Sequence, residues 1–150
     1  MAKHISIGKP VNEAERWAFE FLKKKLPDDY KIYTNLEIYL NNGSPREIDA
    51  LIVGKYAIYI LDVKGYTGNL IIKQNSWMLD DNDVDPSITK VNFIAKVFSG
   101  FFEPTSRPWC QGTVFVTGEE GKNINITKYP YNIAVFSSEN IISALTKIEF

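Results

Sequence analysis

Histidine and cysteine are almost missing from this chain: one of each in 150 residues. His4 and Cys110 cannot between them build a His/Cys zinc site. A lone Cys110 excludes a disulfide within the chain and points to a reducing, cytoplasmic compartment. Long apolar runs are also missing. Nothing approaches the roughly 18 residues of a membrane span, and the opening MAKHISIGKP lacks the apolar stretch of a secretory leader. Net charge is nearly absent, at −1 with a pI near 5.9. That argues against a whole surface built to grip phosphate nonspecifically, but it leaves room for a local basic groove. No internal repeat or low-complexity stretch is visible.

What is present suits one soluble globular domain over residues 1–150. Apolar residues make up 45% of the chain and charged residues 23%, enough for a sizeable core under a wet surface. Residues 1–11 read as a loosely held lead-in ended by Pro10. A helix is expected from Asn12 to about Leu26, stopped by Pro27-Asp28-Asp29. Its apolar stripe is Ala14, Ala18, Phe21, Leu22 and Leu26, with Trp17 and Phe19 on the shoulders. Glu15 falls inside that stripe, where an acid is out of place. It reads either as the third residue of a capping box with Asn12 or as a functional carboxylate, and the two are compatible. Lys23-Lys24-Lys25 complements the carboxyl end of the helix dipole.

Tyr30 to Tyr39 reads as a strand, followed by a turn at Asn41–Pro45. Then comes Glu47 to Lys64, EIDALIVGKYAIYILDVK, read as an antiparallel hairpin turning at Gly54-Lys55. Alternation puts Glu47, Asp49, Leu51 and Val53 on one face of the first strand and Tyr56, Ile58, Ile60, Asp62 and Lys64 on one face of the second. A turn centred on Gly54-Lys55 sets Asp49 opposite Ile60 and Glu47 opposite Asp62. Gly65–Gly68 is a turn and Asn69–Gln74 a short strand, with Trp77 beside it. Asp80–Pro86, DDNDVDP, reads as a solvated loop, since it lacks the glycine and closing glutamate of a calcium loop. A helix is expected over Ser87–Phe102, strands at Cys110–Thr117 and Ile133–Phe136, and a last helix to Leu145 capped by Ser137 or Ser138. Trp77, Trp109, Tyr129 and Tyr131 read as core and sheet aromatics. The order gives an α/β fold: a mixed central sheet flanked by helices. The chain stops without a clear ending after Ile148-Glu149-Phe150, which suggests a module of a longer protein.

Acidic groups at the outer ends of two core strands repel and are costly to bury unpaired. Asp49 and Asp62 converging on one cation, with Lys64 just beyond and Glu15 nearby, would relieve that cost. An all-oxygen donor set selects Mg²⁺ or Mn²⁺, and the backbone carbonyl of Val63 could add a ligand. Such an ion polarises a phosphoryl oxygen, and Lys64 could orient the attacking water and stabilise the phosphorus centre. The reaction described is phosphodiester hydrolysis. The plainer alternative is strand-end salt bridges, Asp62–Lys64 or Glu47–Lys64.

Glu15 in an opening helix, then Glu47-Ile48-Asp49, then Asp62-Val63-Lys64 thirteen residues on, resembles the PD-(D/E)XK nuclease superfamily. More narrowly, Asn12-Glu13-Ala14-Glu15-Arg16, Leu26-Pro27-Asp28-Asp29-Tyr30, Glu47-Ile48-Asp49 and Asp62-Val63-Lys64-Gly65-Tyr66-Thr67-Gly68 resemble the nuclease-related domain, NERD, over roughly residues 11–118. Asp85-Pro86 and the helix after it also fit. The resemblance implies a restriction-endonuclease-like core, with Asp49 and Asp62 as ligands of Mg²⁺, Lys64 as the catalytic lysine and Glu15 as the helix-borne acid. It implies DNA as substrate and a fused helicase, kinase or zinc-binding domain as companion. The family usually has Glu where Asp62 stands, and Ala50 occupies the place of a histidine found in some relatives. A catalytically weak DNA-binding module and a pure interaction domain remain the alternatives.

Overall fold

The computed structural model describes residues 1–129 and 134–146. In chain order its elements are β1 (Lys3–Ser6), α1 (Glu13–Lys25), β2 (Lys31–Tyr39), β3 (Pro45–Val53), β4 (Ile58–Lys64), β5 (Gly68–Ile72), β6 (Trp77–Leu79) and β7 (Asn82–Val84). Then follow α2 (Ser87–Ser99), β8 (Cys110–Val116), β9 (Ile124–Lys128), β10 (Val135–Phe136) and α3 (Ile141–Leu145). The strands form two mixed sheets with helices packed against them, in the orders β1-β2-β3-β4-β8-β10 and β7-β6-β5-β9. Around the central hairpin the larger sheet is antiparallel, and its flanking strands β1, β8 and β10 pair in parallel.

The helix α1 forms where the sequence places it. Asn12 caps it by accepting the Glu15 N–H at 2.9 Å, and Lys23, Lys24 and Lys25 fill its last turn. Its buried stripe is Glu15, Ala18, Phe19 and Leu22, so Phe19 sits deeper than Phe21. These side chains cover Ile32, Ala50, Ile52, Tyr59 and Leu61 on one face of the larger sheet, where α3 adds Ile141 and Leu145. On the other face α2 sets Ile94 and Ala95 against Leu51 and Ile60. A third cluster joins Val114 and Val116 of β8 to Leu70, Ile72 and Trp77 of the smaller sheet.

Several expectations are corrected. The lead-in holds β1, which pairs with β2 from Lys3↔Lys31 to Ser6↔Thr34. KHIS is too short and too polar to announce a strand, and its pairing depends on an open edge of β2. The hairpin turn spans Gly54 to Ala57, closed by the Gly54 N–H on the Ala57 carbonyl at 2.9 Å. Two further turn residues shift the register to Leu51↔Ile60 and Ala50↔Leu61. An even shift keeps the paired side chains from Ala50↔Leu61 to Val53↔Ile58 on their expected faces, where a one-residue slip would have reversed them. The acidic stretch is not all loop: Asn82–Val84 is a strand, folded back on β6 through Asp80 and Asp81 at φ 48° and 66°. Aspartate tolerates that left-handed backbone better than most residues. α2 ends at Ser99, short of Phe102. Asn140, not Ser137 or Ser138, holds the cap position of α3. Ile133, Tyr131 and Ile148–Phe150 lie outside the described residues. Trp77 is core and Tyr129 is partly buried beside it, whereas Trp109 is exposed.

Candidate active site

The ladder between β3 and β4 ends at Ala50↔Leu61. Both strands run on, and the next residues along the same register are Asp49 and Asp62. The strands part there, and a carboxylate takes over from the ladder: Asp49 Oδ2 accepts the Val63 N–H at 2.8 Å. The two aspartates therefore flank the opening of the sheet.

Asp62 is buried, at 4% exposure, yet no hydrogen bond reaches its Oδ2. Two lysines lie at ion-pair distance instead. Lys64 Nζ stands 3.5 Å from Oδ2, on the same strand two residues on. Lys90 Nζ stands 3.6 Å from Oδ1, projecting from the first turns of α2. Burial is the main force on the Asp49 carboxyl and pushes it up to about 7. The Val63 N–H opposes that rise, the charges of Asp62 and Glu15 add to it, and Lys90 lowers it.

Glu15 is also buried at 4%, as its place in the apolar stripe implies. Its Oε1 accepts the Asn35 Nδ2–H at 2.7 Å and the Val11 N–H at 3.3 Å. The capping box is thus half made: Asn12 caps the helix, but the return bond goes to Val11. Asn35 holds φ 54° in the middle of β2, directly across from Asp49 by the register of its neighbours. The faces exchange at this point. Ile32, Ala50 and Ile52 pack under α1, whereas Leu36, Ile38 and Ile48 pack with the α2 core. Strict alternation would keep Ile48 with Ala50 and Ile52. The distortion sets Asp49 between the helix-borne Glu15 and the strand-borne Asp62. A cleft of about 140 Å³ adjoins it, lined by Asn35, Asp49, Glu37, Glu47 and Lys9 among others. Glu47 pairs with Glu37 in the β2–β3 ladder, not with Asp62.

The donor set fits a hard divalent cation. It is all oxygen, it carries repelling negative charge, and it leaves a buried carboxylate oxygen without a hydrogen bond. Among the described residues no three His, Cys, Asp or Glu side chains form a group that could hold an ion alone. An ion here would rest on Asp49 and Asp62 and complete its shell with backbone, water or substrate oxygen, as Mg²⁺ commonly does.

Sequence reasoning missed Asn35 and Lys90. Asn35 carried a signal, being a turn-forming residue in the middle of a strand made mostly of β-branched and aromatic residues. Lys90 carried none, since a lysine on an exposed helix turn is ordinary.

Parted central strands bearing two aspartates and a lysine, with a buried glutamate on the flanking helix, define a nuclease-like α/β core. The family described as nuclease-related domain matches residues 10–117, and the chain belongs to that family. It is similar to a Streptomyces coelicolor protein named "Probable kinase PglW", with 25% identity over 76 residues. The match covers 49% of this chain and 5% of that much longer protein. No solved structure matches the chain. No helix among the described residues is long and apolar enough to cross a membrane.

Proposed function

We propose that this domain hydrolyses phosphodiester bonds in DNA, with Mg²⁺ or Mn²⁺ held by Asp49 and Asp62. The observation that carries the reading is the buried Oδ2 of Asp62, which has no hydrogen bond although its carboxylate lies between two lysines at the parting of β3 and β4. Bound there, the cation supplies Lewis-acid stabilisation of phosphoryl charge and a more acidic water. In an extended strand a residue's N–H and C=O leave by the same edge. The Val63 carbonyl therefore shares the edge of the N–H that Asp49 accepts, and would offer the cation a third oxygen. Lys64, which stands beside Asp62, would orient the attacking water and stabilise charge on the phosphorus. Glu15, with Oε1 engaged by Asn35 and Val11, acts as the helix-borne acid through its charge beside Asp49. A reducing, cytoplasmic setting agrees with the lone Cys110.

A second reading is a catalytically weak DNA-binding or interaction module that directs a fused helicase, kinase or other domain. The likeness to a small part of a kinase-named protein favours it.

Plasmid and single-stranded DNA incubated with Mg²⁺ or Mn²⁺ separate the two. Nuclease function predicts cleavage that Asp62→Ala and Lys64→Ala both abolish, and a calorimetric binding heat for the cation that Asp49→Ala removes. Cleavage surviving either substitution would exclude that residue from the catalytic set. No binding heat in the native chain would leave the second reading.

A further inference from the structure

The outer surface of α2 and the loop after it differ in character from the rest of the chain. Two grooves of about 900 and 480 Å³ flank the outer ridge of the helix, and Lys96 and Gly100 line both. Among the described residues no carboxylate lines either groove, although Glu103 is exposed in the loop beside them. α2 itself carries Lys90 and Lys96 and no acid. Large aromatic side chains stand out along the same surface: Phe93 is 47% exposed, and Phe101 and Trp109 are each 56% exposed. Trp109 is fixed at its backbone, where its carbonyl accepts the Ile58 N–H at 2.8 Å, and Arg107 beside it bonds the Phe102 carbonyl at 3.1 Å. The surface is continuous with the candidate active site, because Lys90 at one end of α2 reaches Asp62.

We infer that this surface is a track for a single strand of polynucleotide, leading from the scissile position by Lys90 past Phe93 and Lys96 to Arg107 and Trp109. Cations meet the phosphates and exposed rings stack on bases, whose faces are all aromatic, so the track is tolerant of sequence. A docked protein would also cover aromatic rings. It would give no reason for groove walls that hold Lys96 and Arg107 and no acid, whereas a polyanion does. The inference rests on the nuclease reading only for the direction in which the strand leads; the binding stands by itself.

The test is fluorescence anisotropy of labelled dT and rU oligomers of about 15 nucleotides, with the full chain and EDTA present so that hydrolysis cannot contribute. Binding of either sugar supports the track, and the tighter one names the substrate. Its affinity should fall with salt at a log–log slope near −2, about −0.7 for each of three cations. Lys96→Ala and Arg107→Ala should each flatten that slope by about 0.7. Trp109→Ala should weaken binding by about 5- to 100-fold and remove tryptophan quenching, while Trp109→Phe retains most of the affinity. Unchanged affinity and slope in Trp109→Ala and Lys96→Ala would overturn the track. So would a doubled mass by light scattering that Trp109→Ala reverses, since the surface would then be a contact between copies. Strand binding without any cation-dependent cleavage would sink the nuclease reading alone, and cleavage indifferent to the track substitutions would sink the track alone.

Discussion

A carboxyl group held away from water and beside other acids gives up its proton late. Asp49 is in that position, pushed from 3.8 to about 7 chiefly by burial. The folded state therefore holds a proton that the unfolded state has released. The stability this contributes is fully present below about pH 4 and is lost as pH rises through about 7. The metal-free protein should show a Tm that falls across that interval, and Asp49→Asn should flatten the fall. A tenfold difference in proton affinity between the folded and unfolded chains is worth about 1.4 kcal/mol, so the slope lies within reach of a thermal scan. An equal slope in the two proteins would show that another group governs it. Asn35 supports a second prediction. Asn35→Gly keeps the left-handed backbone and loses the bond to the Glu15 carboxyl together with the unpartnered Oδ1, at a net cost of about 1–3 kcal/mol. Asn35→Ala adds roughly 1–2 kcal/mol for the strained backbone. Chemical denaturation of the pair separates the two terms, and equal losses would mean the backbone is not strained there. At this scale the sequence was readable where a residue broke a pattern. Glu15 in an apolar stripe and Asp62 in an apolar strand both announced themselves. Lys90 broke nothing, and its meeting with Asp62 is a product of how α2 lies on the sheet.

That placement depends on Gly112 in β8. A Cβ added there would stand 2.9 Å from the Asn92 nitrogen and 2.9 Å from the Val91 carbonyl carbon, both backbone atoms of α2. The helix could not yield by rotating a side chain; it would have to move. Gly112→Ala should cost about 1–3 kcal/mol and draw Lys90, one residue before Val91, away from Asp62. Urea denaturation gives the first quantity. A change in cation affinity by calorimetry gives the second, and an unchanged value would show that Lys90 does not bear on the site. The elements themselves were legible in proportion to their length and periodicity. α1, α2, β2 and the β3–β4 hairpin carry long patterns and were found. β1, β7 and β9 were missed because each is short, polar or both, and exists by pairing with another strand. The hairpin register was off by two residues because turn length is a local choice that a lone glycine does not fix. The shift brings Asp49 to the position next to Asp62 along the register, where the sequence reading had set it opposite Ile60.

The two sheets are joined by one core rather than set side by side. Val114 and Val116 belong to the larger sheet, Leu70, Ile72 and Trp77 to the smaller, and Val91 of α2 packs among them. Trp77 is almost wholly buried, in a sheet that the sequence suggested only as a short strand with a companion. A sheet of four strands, none longer than five residues, has little stability of its own. Its persistence should therefore be inseparable from that of the nuclease-like core, and the chain should unfold as one unit. Tryptophan fluorescence, dominated in its change by Trp77, and far-UV circular dichroism should trace a single urea transition with a common midpoint. Trp77→Phe should lower both midpoints together, because the cavity it leaves touches β8 as well as β5. Fluorescence moving ahead of the dichroism would mean that the smaller sheet melts first, and that the valines of β8 do not couple it to the strands carrying Asp49 and Asp62. The coupling matters for function in one direct way: β8 lies next to β4 in register from Ile58↔Cys110 to Lys64↔Val116. Loosening the shared core would reach Asp62 and Lys64 through one strand, so a Trp77→Phe protein that still folds should bind the cation more weakly than the native chain by calorimetry.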